Sequence, residues 1–567
     1  MSPFTRRPAQ LSGIVAATAT VAALALTACS GTAATTTNTA NGANSSITVS
    51  GNSGTLTENW NPFLPTALQG TLGVIYESLF YYNLATGAPP QPMLATASSW
   101  SGDGKELKIT TRDGVKWSDG QAFTADDVAY TFDLISKTPS INSSGVKITS
   151  SVATDPHTAV LTFPEKQFLA EPNLLGNTPI IPKHVWSTIS DPSKTTNTKP
   201  IGTGPYVEKS FSPQIYVLEK NPAYWQPGKP QIQSIRYTSL ATADAVSAAL
   251  IGGQIDWASA FIPSLDKILK NQKDLTYVNT PSLTTSIFTC SNAAMGCKGP
   301  QTDVAVRQAI YYAINRDQLN KLAGSGFAVT ASPTMLLPDR DQKWIADPAN
   351  LKSPGGPDVA KANQILDQAG WVKGTDGIRG KGGQRLTLNI QTVTGWSDYI
   401  SLDDAMTQEL KEIGIELKAS QLSYNEWNNN EVQGKFQLSL DSIGLGPSTN
   451  PYYNYNQHYT TATTAKVGES ASNSGNYARY TNPAVDRALT AAAATNDEAV
   501  QKQQYTTVQT EIVRDMPYIP IYVNSMLTEF NTSRATGWPT NDNKYAVPAT
   551  WKVWDNGIVL SNLKPAK

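Results

Sequence analysis

Charge is scarce in this chain. Only 16 % of its 567 residues are Asp, Glu, Lys or Arg, where a soluble protein usually carries about a quarter. The 44 cations and 45 anions nearly cancel, leaving a net charge of −1. That excludes the basic field on which nucleic-acid binding rests. Cys and His are scarcer still, at three each. His157, His184 and His458 are scattered, so no zinc cluster can be assembled from neighbours in sequence. Neither a metal nor a cofactor is expected. The patterns G-x-S-x-G, H-E-x-x-H and G-x-x-x-x-G-K-[ST] are absent. Ser264-Leu-Asp-Lys267 matches S-x-x-K, but without S-D-N or K-T-G it is a coincidence rather than a hydrolase signature. Aromatics, by contrast, are plentiful, with 23 Tyr and 13 Trp. The polar surface is built from Ser, Thr, Asn and Gln.

One long uncharged run stands out, Leu11 to Ala28, preceded by Arg6 and Arg7 and followed by Cys29-Ser30. Small residues before a Cys, in Leu26-Thr-Ala-Cys29, resemble a bacterial lipobox. Residues 1–28 are therefore expected to be a lipoprotein signal peptide, with Cys29 the lipidated residue. Its removal would take the net charge from −1 to −3. Residues 29–46 have no charge and no large apolar side chain, and read as a flexible tether. The body is then expected outside the cytoplasm, held to the cell membrane by lipid. In that oxidising setting Cys290 and Cys297, the remaining pair, are expected to form a local disulfide.

From Ile47 onward, strand and helix patterns alternate, which places the chain in the α/β class. Strands are predicted over 47–50, 107–111, 216–218, 232–237, 386–392, 416–420 and 519–523. Helices are predicted over 71–79, 125–136, 241–251, 304–322, 359–369, 399–413 and 497–515. Trp538, Trp551 and Trp554, near the C-terminus, are expected to pack. No linker divides the body, so any domains must interleave.

Five segments, in order, carry a family resemblance. They are residues 94–135 (LATASSWSGDGKELKITTRDGVKWSDGQAFTADDVAYTFDLI), Ile201–Tyr206 with Glu219–Trp225, Asp244–Asp256, Val306–Arg316, and Gln368–Trp371 with Asp376–Ile378. Together they resemble the peptide-type solute-binding proteins, family 5, of bacterial ABC importers. The resemblance implies a class II binding-protein fold, two lobes around a hinge with three interleaved subdomains. Lobe I would join 47–91, 199–287 and 525–567, with 92–198 as side subdomain II and 288–524 as lobe III. It also implies a small-molecule ligand enclosed by hinge closure, a permease with its ATPase subunits as partners, a monomer, and no enzymatic activity.

The ligand class turns on a departure from that family. Peptide-binding members resemble one another in a motif of the form G-W-x-x-D-x-x-D-P, whose Asp pairs with the ligand's α-ammonium. Here the stretch reads Ile443-Gly-Leu-Gly-Pro447-Ser-Thr-Asn450-Pro451, so Pro447 stands in place of the carboxylate. Asp441 lies close by, in the preceding strand-like run. Aromatics and amides follow: Tyr452, Tyr453, Asn454 and Tyr455, with Trp60–Asn61, Trp396 near Asp398, and Trp427–Asn428 elsewhere. Flat rings offer stacking faces and amides serve hydroxyls as donor and acceptor. These eleven residues, Asn450 among them, are the candidate binding site. An oligosaccharide is the expected ligand; a di- or oligopeptide is the alternative, and a ligand sensor or a secreted hydrolase are readings of other classes.

Overall fold

The computed structural model describes residues 45–51, 55–240, 242–260, 262, 265–444, 446–471 and 475–566. The expected signal peptide, Cys29 and all but the end of the tether lie outside the described residues, as does Ser264. Among the described residues no helix is long and apolar enough to cross a membrane.

Two long strands, Leu275–Thr289 and Tyr518–Asn531, pair antiparallel from Leu275 opposite Asn531 to Phe288 opposite Tyr518. They sit in the middle of an 11-stranded mixed sheet. On one side the sheet continues through Leu438–Ile443, Thr387–Val393 and Glu416–Leu422. On the other it runs through Trp257–Ala258, Ser46–Ser50, Ser234–Thr238, Ile215–Lys220 and Tyr206–Phe211, while Val329–Thr330 adds to Tyr518–Asn531.

The core changes sides along these two strands. Val278 and Phe530 pack with Ile47, Trp60, Tyr216, Tyr237 and Trp257. Ile287, Ile519 and Ile521 pack with Val306, Leu388, Leu402 and Met406. Between the two cores the buried residues of Leu275–Thr289 are small and polar, Thr280, Ser282, Thr284, Thr285 and Ser286, while the partner strand buries Val523, Met526 and Leu527 in small clusters of their own. The pairing slips between Pro281 and Leu283 and again between Thr285 and Ser286. An irregular stretch shared by two separate cores is the geometry of a two-lobed fold whose lobes meet in the sheet.

A second sheet, in the order Ala95–Trp100, Glu106–Thr111, Thr158–Thr162 and Ser150–Asp155, stands beside the helix Ala125–Lys137. It has its own core around Leu107, Ile109, Trp117, Phe132 and Leu161. This unit meets the first lobe at Glu77, whose carbonyl accepts from Ile180 N at 3.1 Å. The Glu77 side chain is buried, and it accepts bonds from Trp225 Nε1 at 2.9 Å and Tyr224 Oη at 3.1 Å. Burial pushes its carboxyl up to about 7, with those donors pulling back.

The sequence pattern does not predict Leu275–Thr289, Tyr424–Gln433, Tyr452–Tyr459, Pro483–Ala493 or Val553–Asn562. Most of the predicted elements form where the pattern places them, with three differences. The predicted helix 71–79 is a series of turns, because its backbone is taken up by another contact. A Cβ on Gly73 (φ +75°) would lie 2.3 Å from Val553 O, and one on Gly557 would lie 1.8 Å from Gly73 O. The helix Val553–Asn562 thus docks backbone to backbone on this loop. The predicted helix 304–322 is two helices, Val304–Ala313 and Arg316–Leu322, because the Asn315 side chain caps Gln318 N and restarts the ladder. The strand read as 519–523 is the 14-residue Tyr518–Asn531. Cys290 and Cys297 are disulfide-bonded, Cα atoms 5.5 Å apart.

Two consequences are testable. Gly557→Ala should destabilise the protein by about 1–3 kcal/mol, as overpacking does, read from the urea midpoint. Asp403, on the helix Ser397–Glu412, is 2 % exposed and neither carboxylate oxygen has a hydrogen-bond partner among the described residues. Burial, then the charge of Asp404, pushes it up to about 8. The folded state therefore holds this proton where the unfolded chain has released it, so stability falls as pH rises from about 4 to 8. Asp403→Asn should flatten that fall and raise the urea midpoint at pH 8.

Candidate functional site

Of three cavities between the lobes, one of about 330 Å³ lies at Ala85, Pro281, Lys544 and Arg340, and the other two share the lining residues Tyr82 and Leu84. Of these two the first, about 500 Å³, is lined by Tyr81, Asn173, Asn177, Trp551, Lys552 and Trp554 from the first lobe and its side unit. Gly446, Pro447 and Gln457 face it from the other lobe. The second, about 560 Å³, lies between Asn83, Phe168, Glu171 and Pro172 on one side and Lys343, Trp344, Thr449, Asn450, Tyr453 and Gln501 on the other. Two contacts bridge the lobes beside them. The Tyr453 hydroxyl donates to Leu169 O, and Arg340 Nη1 donates to Leu84 O at 2.9 Å. Arg340 is itself fixed by a two-pronged pair with Asp341 at 2.6 and 2.8 Å. A larger cavity, about 730 Å³, lies between the helix Tyr424–Gln433 and the strand Thr387–Val393, beside the disulfide. All its walls belong to one lobe, so lobe closure does not act on it, and the cleft is the better candidate.

The helix Val553–Asn562 sets the position of the two cleft tryptophans. Its Asp555 is buried and accepts from Tyr81 Oη at 2.5 Å and Val547 N at 2.7 Å. Burial pushes that carboxyl up to about 6, while the Tyr81 and Val547 donors and the Lys552 charge pull it back. Trp551, just ahead of the helix, is 49 % exposed. This corrects the expectation that Trp551 and Trp554 only pack; Trp538 does pack, stacked on Phe530 with centroids 4.5 Å apart. The signal was present in the sequence, since Trp551-Lys-Val-Trp554 spaces two indoles around a lysine, yet a short segment beside the C-terminus reads equally as packing.

The cleft's charges are mostly matched within the protein. Lys343 pairs with Glu498 at 2.9 Å, and Lys502 with the same carboxylate at 3.1 Å. Lys552 and Asp555 attract each other. Amides, hydroxyls and rings make up the remaining polar surface. Among the described residues no group of three or more His, Cys, Asp or Glu is placed to hold a metal ion.

The structure disperses the eleven predicted residues. Asn450 and Tyr453 line the second cavity. Asn450 is held there by Gln501 Oε1 at 2.9 Å and Tyr505 Oη at 2.6 Å. Tyr452 is half-buried against the neighbouring core. Asn454 and Tyr455 are corrections. Tyr452–Tyr459 is a helix, so one face, Asn454, Tyr455, His458 and Tyr459, turns inward, and Asn454 and Tyr455 bond Met335 O and Thr334 O at 3.0 Å each. Trp60 and Asn61 are also corrections. Trp60 sits fully buried edge-on to Tyr216, and Asn61 binds the carbonyls of Pro192 and Thr195 at 2.7 Å.

Trp396 and Trp427 meet at 5.2 Å in an aromatic cluster with Tyr399 and Tyr424. Trp427 is buried and donates to Ser439 Oγ, whereas Tyr424 is 56 % exposed. Asp398 and Asn428 are partly exposed on the helices that carry this cluster and line neither cleft cavity. Asp441, the nearest acid to Pro447, is committed elsewhere. It shares a hydrogen bond with buried Glu431, and burial pushes both carboxyls up.

A family model for bacterial extracellular solute-binding proteins, family 5, matches residues 89–466. The chain belongs to this family. Among curated family 5 relatives, Protein XP55 of Streptomyces lividans is 28 % identical over 439 residues, covering 76 % of this chain and 75 % of that protein. The glutathione-binding protein GsiB of Salmonella typhi is 26 % identical over 503 residues, 85 % of this chain and 89 % of that protein. Among solved structures, the periplasmic oligopeptide-binding protein of an oligopeptide ABC transporter from Thermotoga maritima aligns with a TM-score of 0.81 at 27 % identity, over 92 % of this chain and all of that one. The same protein with mannohexaose bound aligns at 0.73, over 92 % of this chain and 99 % of that one. The α/β two-lobed fold expected from the sequence is the fold of these neighbours, and this protein is a family 5 solute-binding protein.

The Tyr81–Asp555 bond is testable. Tyr81→Phe removes a donor to a buried carboxylate, a bond worth about 1.5–3 kcal/mol. The loss should be largest at pH 8, where Asp555 is ionised, and smaller at pH 4, where the folded state holds it protonated. Urea melts at the two pH values check the difference.

Proposed function

We propose that this protein is the lipid-anchored, extracytoplasmic capture component of an ABC import system, and that it encloses a neutral oligosaccharide between its lobes. In this reading lobe I comprises 47–91, 199–287 and 525–567, side subdomain II comprises 92–198, and lobe III comprises 288–524. A permease with its ATPase subunits receives the ligand, and no bond is made or broken. Ligand that contacts both lobes favours the closed arrangement by mass action, a population shift about the two long strands.

The observation that carries the ligand class is Trp551. A half-exposed indole at the edge of a cleft offers an apolar face to the C–H face of a sugar ring. Around it Tyr81, Asn173, Asn177 and Gln457 supply donors and acceptors suited to hydroxyls. The position where a peptide-type motif would carry its carboxylate is Pro447, which lines the same cavity. The Thermotoga maritima relative lends support, since a protein described as oligopeptide-binding was crystallised with mannohexaose.

A thermal-shift screen of manno- and cello-oligosaccharides against di- to pentapeptides tests the class, because a ligand that binds only the folded state raises the melting temperature. A rise with the sugars is expected, together with a loss of about tenfold or more in affinity for Trp551→Ala, as for a stacked aromatic anchor. Rises with peptides alone, or an unchanged affinity in Trp551→Ala, would overturn the reading.

A further inference from the structure

Among the charges that line the cavities of about 500 and 560 Å³, Glu171 is the one on which no opposite charge of the described residues acts. Lys343 and Lys502 both pair with Glu498, and Lys552, its Nζ over the Trp551 ring, attracts Asp555. Glu171 has only neutral donors, Trp100 Nε1 at 2.7 Å on Oε2 and Tyr82 Oη at 3.4 Å on Oε1. The second contact is long for an O–H···O⁻ bond, so Oε1 keeps most of its accepting capacity. The side chain is partly buried in the wall of the 560 Å³ cavity, opposite Asn450 and Tyr453. Burial pushes its carboxyl up, and no cation contributes to pulling it back.

We infer that Glu171 binds a primary ammonium group of the ligand, in the second cavity, while the first cavity takes the stacked, neutral part. A half-buried carboxylate with two neutral donors and a free lone pair, opening into a ligand-sized cavity, is completed by a cation that arrives with the ligand. The site is separate from the Pro447 position: it belongs to the side subdomain, while Pro447 belongs to the opposite lobe. The ammonium has two chemical sources, an amino sugar within an oligosaccharide and the N-terminus of a peptide. The inference rests on the cleft being the ligand site and replaces a wholly neutral ligand with one that carries a single amine beside its neutral, stacked part.

The experiment is titration calorimetry of the purified protein with four probes: the glucosamine trimer, its N-acetylated counterpart, triglycine and N-acetyl-triglycine. Mannotriose is the neutral control. At least one free-amine probe should bind tenfold or more tighter than its acetylated partner. That preference should fall below about twofold in Glu171→Gln, which keeps the shape and the accepting oxygen, and persist in Glu171→Asp, which keeps the charge. Which pair shows the preference identifies the source of the amine. Equal affinities within both pairs, or a preference that survives Glu171→Gln, would overturn the assignment. Mannotriose binding that depends on Trp551 with no amine preference would sink this inference and leave the neutral-sugar reading standing. Amine-dependent binding that needs Glu171, without any mannotriose binding, would do the reverse.

Discussion

The pairing of Leu275–Thr289 with Tyr518–Asn531 is the constraint on which the rest depends. Each strand contributes one end to each core, so neither lobe has a complete sheet without it. Continuous backbone hydrogen bonding holds the lobes in one molecule. In the middle one strand is small and polar and the register slips twice, while the other places Val523, Met526 and Leu527 in separate small clusters, so the two main cores do not run into one another. A ligand cleft between two lobes follows from that division: the cores are separately packed, and the space between them is lined by whatever each presents.

What each lobe presents is a surface with little net charge. Ion pairs inside the cleft wall are satisfied by the protein, and the accessible groups are amides, phenols and indoles. Such a surface suits shape, stacking and hydrogen-bond exchange more than long-range attraction. The low charge of the whole chain has the same consequence at larger scale, since no field steers an ionic ligand inward. Against that background a single unmatched carboxylate has more discriminating power than it would in a charged pocket.

The sequence made the architecture legible because long periodic segments were intact. The helices 125–136 and 359–369 were readable from the start signals Thr124 and Asp358, and 497–515 from its helical period. The central strand Leu275–Thr289 escaped notice because its middle is Thr, Ser and Pro rather than an apolar alternation. The binding residues were less readable, since a buried Trp and an exposed one look alike along the chain. Trp60 and Tyr455 are core, Trp551 is surface, and only the backbone contact between Gly73 and Gly557 shows where the last helix lies. Glu171 carries no local signal either; its standing depends on Trp100, Tyr82 and an absent cation, all distant in sequence.

The order of the strands has a consequence for the life history of the chain. Ser46–Ser50 pairs with Ser234–Thr238 and Trp257, and Trp257 in turn with Phe530. The strand that joins both half-sheets is thus among the last segments synthesised. Until residue 531 is available, each half-sheet has an open edge and the far ends of the chain have no partner. Such a topology of distant pairings folds slowly. It keeps the two half-sheets from closing into one until residues 518–531 have been made.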